Sequence, residues 1–233
     1  GLKPRRVAVL GAGIMGSSLS LLLARRGAHV SLFDSELEPF SAASRWNEGK
    51  IHLGYLYNAD FTMRSARKVL SGGLVFRSLV ENLLDMSIEP AVSSEDDLYL
   101  CHRDSVVDLD RMNGYFQRVG ELARSHPDAG RYLSGRFSYE TRQLSIRELE
   151  DVSGADEIVG GFTVPERSVQ TRWLADRFVE RLVAQTGIET RLGRRIVAVS
   201  PVPGEGVHGL WQVQTTEQGK PYTFESKGRT LTV

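Results

Sequence analysis

The chain has 233 residues, 41% of them hydrophobic and 25% charged, and its 29 basic and 29 acidic side chains balance to a formal net charge of zero. That is an ordinary globular composition with material for one large or two small domains, and it provides no general attraction to nucleic acid or to an acidic membrane surface. The single cysteine, Cys101, excludes an internal disulfide and a cysteine metal site and fits a reducing, cytoplasmic compartment, while no apolar run approaches the ~20 residues of a membrane span.

Val7 to Leu10 form a short apolar run of the kind buried on both faces of a parallel sheet. A glycine-rich turn follows. Gly11 permits the sharp reversal, Gly13 has no side chain to hold the backbone away from a pyrophosphate, and Gly16 lets the next helix pack close to the sheet. The pattern predicts a helix from near Ile14 to a stop at Gly27, with its first amides, those of Ile14 and Met15, facing phosphate. His29 to Phe33 reads as a second strand. Asp34 then stands about 20 residues beyond the turn, where an acid accepts hydrogen bonds from the adenosine ribose and disfavours a 2′-phosphate. Strand, glycines, helix, strand and acid fall in register as a βαβ unit for the ADP half of a dinucleotide. These residues alone leave NAD and FAD both open.

The loop after Asp34, SELEPFSAASRWNEGKIHLGYLYNAD, is long, polar and aromatic, and loops of that length inside compact domains are usually functional. Residues 7–34 resemble the start of NAD-dependent 3-hydroxyacyl-CoA dehydrogenases as much as that of flavoproteins. The stretch AASRWNEGKIHLGYLY separates the two. It resembles the segment after the second strand in the D-amino-acid-oxidase-like (DAO) superfamily of FAD-dependent oxidoreductases, closest to the branch oxidising 2-hydroxy acids and glycerol 3-phosphate. The run Ile51-His52-Leu53-Gly54 and Tyr57 match that branch, whereas Trp46, Glu48 and Lys50 depart from it. The resemblance implies Ser44 and Arg45 near the phosphates, and Asn47, Gly49, Lys50 and His52 near the isoalloxazine. Trp46 would shield the flavin or meet a face of the substrate.

Further along, Thr62 to Leu84 is a helix candidate interrupted by Gly72 and Gly73, Leu98 to Cys101 a strand, and Val106 to Ser125 an amphipathic helix. TRQLSIRELEDVSG reads as a polar connection with a short helix, and IVGGFTVPERSVQ as a strand turning at Pro165. Arg172 to Gln185 is helical and ends at Gly187, and Ile188 to Leu192 is a strand. Alternating strands separated by the turns at 203–206 and 217–220 then predict a β-meander. The expected class is therefore α/β, a Rossmann-like FAD-binding domain with a β-meander and an inserted α+β substrate domain. Residues 1–84 and 166–233 would form the FAD-binding part and 85–165 an antiparallel substrate domain roofing the flavin. The resemblance further implies that a backbone amide near Val197 meets the adenine. It also implies that GRTLTV at 228–233 begins a returning strand, and that the chain is an N-terminal portion of a larger oxidoreductase.

The expected chemistry is hydride transfer from a CH–OH or CH–NH donor, a 2-hydroxy acid, amino acid or amine, to flavin N5. His52 is the candidate base, since an imidazole titrating near neutrality suits a hydroxy-acid donor. Lys50 or Arg45 would stabilise a reduced, anionic ring. The expected partner is a small-molecule substrate. His29, His102, His126 and His208 are scattered among strands and turns, Arg64, Arg67 and Lys68 read as a solvated helix face, and Trp173 and Trp211 as packing residues. No spacing suggests a metal site. The alternatives are an NAD-dependent dehydrogenase of the 3-hydroxyacyl-CoA type and a non-catalytic nucleotide-binding subunit.

Overall fold

In the computed structural model the N-terminal pattern becomes β1 (Arg6–Leu10), α1 (Ile14–Arg25) and β2 (His29–Phe33), followed by a short β3 (Lys50–Ile51) and the long α2 (Arg64–Leu84). Next come β4 (Asp97–His102), α3 (Leu109–Ser125), β5 (Arg142–Gln143), α4 (Ile146–Val152), β6 (Ile158–Val164) and β7 (Arg167–Ser168). The chain closes with α5 (Thr171–Ala184), β8 (Ile188–Arg191), β9 (Ile196–Pro201), β10 (Leu210–Thr215) and β11 (Tyr222–Glu225). The structure describes residues 5–133, 138–202, 210–216 and the backbone of 222–225. The expected turns at 203–206 and 217–220, His208, and the strand expected at 228–233 lie outside the described residues.

Two compact units divide the chain, one made of residues 1–47 and 171–233 and the other of 48–170. The segment 85–165 falls inside the second. In the first unit β1, β2 and β8 form a parallel sheet in the order β1-β2-β8, with Val9 opposite Leu32 and Leu32 opposite Thr190. Leu21, Leu32 and Phe33 are fully buried, each worth about 1.5–3 kcal/mol of burial. Phe40 meets Phe178 of α5 with ring centroids 5.3 Å apart. The meander is present, β9, β10 and β11 pairing antiparallel in sequence order. Phe33 and Val213 form a shared core with Ala8 and Ile196.

The second unit carries an antiparallel sheet, β4-β6-β5, and the small β3–β7 pair. Its core gathers around Phe116 of α3, whose ring lies edge-on to Tyr55, Tyr99 and Phe162 at 5.4–5.5 Å. Helix α3 begins at Leu109 rather than Val106, because the Asp108 side chain accepts the Arg111 amide and caps it there. Cys101 is buried.

One expectation needs correction. Gly72 and Gly73 do not interrupt α2, which runs unbroken from Arg64 to Leu84. Buried positions recur along it at Ala66, Leu70, Gly73 and Leu74 and again at Val80, Leu83 and Leu84, so the amphipathic period passes through the glycine pair. Gly73 is there because a Cβ would stand 2.4 Å from the His52 carbonyl oxygen, whereas a Cβ at Gly72 would meet nothing within 4 Å. A close backbone approach, not a break, explains the residue.

Candidate functional site

The first unit holds the glycine turn. Gly11 adopts φ +99°, a region open to glycine at little cost, and its amide donates to the Phe33 carbonyl at 2.8 Å. A Cβ on Gly16 would sit 1.8 Å from the Gly11 carbonyl oxygen, so α1 can approach the turn only without one. Asp34 clasps this turn from the end of β2. Its Oδ2 accepts the Ala12 amide at 2.6 Å and its Oδ1 the Glu36 amide at 2.9 Å. Ser44 reaches the start of α1, its Oγ accepting the Ile14 amide at 3.1 Å, and a Cβ on Gly13 would come within 2.9 Å of that same Oγ. Met15, one residue on, is 67% exposed.

A cleft of about 370 Å³ opens beside Asp34, lined also by Gly11, Phe33, Ser35, Arg194, Arg195 and Ile196. Val197 adjoins it at a β-bulge. Ala198 is paired with Gln214 and Ile196 with Thr215, so Val197 has no opposite partner in the ladder. The cleft thus joins the glycine turn, through Gly11, to the acid at the end of β2 and to Arg194 and Arg195 just before β9. Arg45 is engaged with Asp176 at 2.8 Å and with the Phe40 carbonyl, and Asn47 donates to the Ala43 carbonyl at 2.6 Å. Trp46, 57% exposed, carries the Arg172 guanidinium 4.3 Å above its ring.

Gly49, Lys50 and His52 belong to the second unit. Gly49 takes φ +70°, and its carbonyl accepts the Val169 amide at 3.0 Å. Lys50 pairs with Asp97 at 2.6 Å and lies 5.6 Å from the centre of the Tyr99 ring. His52 Nδ1 is 3.2 Å from Oε2 of Glu166, a residue only 1% exposed. That hydrogen bond raises the His52 pKa above its ordinary 6.5, against the opposing effect of burial; the Glu166 charge adds to the rise.

The backbone around His52 is held from every side. Glu166 Oε1 accepts the amides of Leu53 at 2.5 Å and Gly54 at 3.3 Å. Tyr132 donates its hydroxyl to the Ile51 carbonyl at 2.6 Å, Tyr115 donates to the Gly54 carbonyl at 3.1 Å, and the His52 carbonyl rests against Gly73. Tyr99 donates to Glu166 Oε2 at 3.2 Å. Burial first, and then the nearby Glu166 charge, push the Tyr99 phenol well above its usual range, so it stays protonated and remains a donor.

Sequence reasoning missed Glu166 and the three tyrosines that frame this segment. The available signal was an acid placed directly after the apolar strand IVGGFTVP, where a carboxylate has to find partners or be expelled. A Ser–His–Asp set also occurs, with Ser71 Oγ 3.1 Å from His126 Nε2. Its Nδ1 accepts the Asp128 amide at 3.1 Å, so the neutral ring carries its proton on Nε2 and cannot take one from Ser71. Among the described residues no group of three or more His, Cys, Asp or Glu could hold a metal ion, and no helix is long and apolar enough to cross a membrane.

Comparison with solved structures gives the same architecture. A glycine oxidase from Geobacillus kaustophilus superposes with a TM-score of 0.65 at 16% identity, over 97% of this chain and 54% of the other. An L-alpha-glycerophosphate oxidase from Mycoplasma pneumoniae, with FAD bound, gives 0.55 at 15% over 94% and 52%. An iminodiacetate oxidase from Chelativorans sp. BNC1 gives 0.59 at 20% over 94% and 52%. The chain thus spans about half the length of these structures. No curated protein matches it in sequence. The family model for FAD dependent oxidoreductases of the DAO type matches residues 6–226, nearly the whole sequence, and the chain belongs to that family.

Proposed function

We propose that the protein binds FAD and oxidises a small donor bearing a CH–OH or CH–NH group, a 2-hydroxy acid, an amino acid or an amine. The observation that carries the reading is the glycine turn clasped by Asp34 beside its cleft, in a chain of this family. Solved relatives of the same fold are oxidases of glycine, L-alpha-glycerophosphate and iminodiacetate, all small molecules with such groups. In this reading residues 1–84 and 166–233 serve the cofactor and 85–165 the substrate.

Gly11, Gly13 and Gly16 keep the turn open to the pyrophosphate; the α1 amides at Ile14 and Met15 with Ser44 and Arg45 are its proposed donors, Ile14 giving up its bond to Ser44 and Arg45 sharing its guanidinium with Asp176, and Asp34 accepts from the ribose. The Val197 backbone, at the bulge of β9, is the group proposed to meet the adenine. When bound, the flavin supplies the acceptor for the donor's hydride. Asn47, Gly49 and Lys50 are the polar groups proposed to face its ring, with Lys50 a positive charge already held by Asp97. His52 takes the proton that the donor's hydroxyl or amine gives up.

The test is an absorption spectrum of the FAD-reconstituted protein, followed by anaerobic addition of hydroxy acids, amino acids and amines. Flavin bands that bleach with one donor class support the proposal and name the class. A protein that takes up no FAD refutes it.

A further inference from the structure

The second unit contains a buried acid that nothing in the expected cofactor chemistry uses. Glu166 is 1% exposed and sits at the corner between β6 and β7, yet it spends both oxygens on the segment after β3. A buried carboxylate is costly unless hydrogen bonds satisfy it, and here four donors converge: the amides of Leu53 and Gly54, the Tyr99 hydroxyl and the His52 ring. The other side of the segment is closed by Gly73. The side chain of His52 keeps 23% exposure, so the ring is anchored through Nδ1 without being sealed from solvent.

We propose that Glu166 is the positioning residue for His52: it fixes the ring with the proton on Nδ1 and leaves Nε2 as the nitrogen that exchanges a proton with the donor. This rests on the reading of His52 as the proton-handling residue given above. A neutral imidazole has one protonated and one bare nitrogen, and the partner of the first decides which is which. Without Glu166 the two tautomers compete and the ring can turn about its Cβ–Cγ bond. With it, one tautomer and one orientation remain. Tyr99 tunes the pair by sharing Oε2, so the strength of the His52 contact depends on a third side chain from another strand. The charged groups that bear on His52 besides Glu166 are Lys50, which opposes its protonation, and Glu48, which favours it; Lys50 is itself partly neutralised by Asp97.

The experiment is a histidine-resolved NMR titration of the whole 233-residue chain labelled with 15N in its imidazoles, with the His52→Gln variant identifying the resonance. In the unaltered protein His52 is expected to titrate above 6.5, and its neutral form to carry the proton on Nδ1. In Glu166→Gln the pKa should fall, because burial is then no longer opposed by the carboxylate. In Tyr99→Phe it should rise, since Oε2 loses a competing donor; this variant keeps the buried acid satisfied and decides the matter if Glu166→Gln does not fold. A neutral ring protonated on Nε2, or a titration unmoved by whichever of the two variants folds, overturns the proposal. The two readings separate cleanly. If the titrations move as expected but His52→Gln leaves the rate of flavin bleaching unchanged, the proton-handling role of His52 is wrong, and Glu166 positions a ring with no part in the reaction. If bleaching depends on His52 while the titrations stay fixed, the role stands and the positioning is wrong.

Discussion

Two adjacent glycines in α2 should respond to the same substitution with opposite signs. Gly72→Ala and Gly73→Ala both gain about 1 kcal/mol of helix propensity, since each removes the conformational freedom of a mid-helix glycine. At Gly72 the new methyl group meets nothing within 4 Å, so the gain is realised in full. At Gly73 the methyl group would start 2.4 Å from the His52 carbonyl oxygen and 3.3 Å from Leu53 Cδ2. Cβ atoms do not approach closer than 3.0 Å, so helix or loop must yield by at least 0.6 Å. The loop is pinned by Glu166, Tyr115 and Tyr132 and cannot yield without losing hydrogen bonds. Overpacking of that kind costs about 1–3 kcal/mol. Because the propensity gain is common to both, the difference between the variants isolates the clash, also about 1–3 kcal/mol, or roughly 2–12 °C in unfolding midpoint for a chain of this size. Thermal unfolding by circular dichroism, side by side and without cofactor, reads it directly. Variants melting within about 1 °C of each other would refute the close approach of the His52 loop to α2.

Asp34→Ala should weaken FAD binding and also lower the stability of the cofactor-free protein, because the side chain holds the Ala12 amide. A hydrogen bond to a charged group is worth about 1.5–3 kcal/mol, and an unchanged melting point without FAD would show that the clasp contributes nothing. Gly13→Val should abolish flavin uptake, its side chain displacing Ser44 and crowding the start of α1; full flavin occupancy in the variant would sink the phosphate assignment. The His52–Glu166 pair gives a signed pH dependence. Since folding raises the His52 pKa, the stability it contributes is complete below 6.5 and is lost as pH rises through the folded value. Urea midpoints of the unaltered protein minus those of His52→Gln should therefore fall over that interval, and a difference that grows with pH contradicts the pairing.

How far the sequence foretold these features depends on how far apart the interacting residues lie. The βαβ unit was legible almost to the residue, with β2 at His29–Phe33 as expected, because its strand, turn and helix signals are local. The order of α5, β8 and the meander was equally legible. Asp34 was recognisable as the acid at the end of β2, but its bond to Ala12, 22 positions away, has no sequence signature. Glu166 and His52 are 114 positions apart, and Tyr132 and Ile51 are 81. Such pairings emerge only once the fold brings distant turns together. The glycine pair of α2 shows the converse limit, since a residue that usually weakens a helix is here demanded by a carbonyl from another segment.

The hydroxyl of Thr171, at the start of α5, donates to the Arg45 carbonyl at 2.8 Å, beside the point where the chain leaves the first unit. The ends of the second unit are likewise sewn together, with Lys50 opposite Ser168 and the Val169 amide on the Gly49 carbonyl. Each unit therefore has its own closed doorway, and the chain passes out and back through neighbouring positions. Such an arrangement is modular. We predict that residues 48–170 can be excised and residues 47 and 171 rejoined by a short glycine-rich bridge, leaving the first unit as one contiguous segment that still melts cooperatively; a product with no cooperative transition in circular dichroism would contradict this.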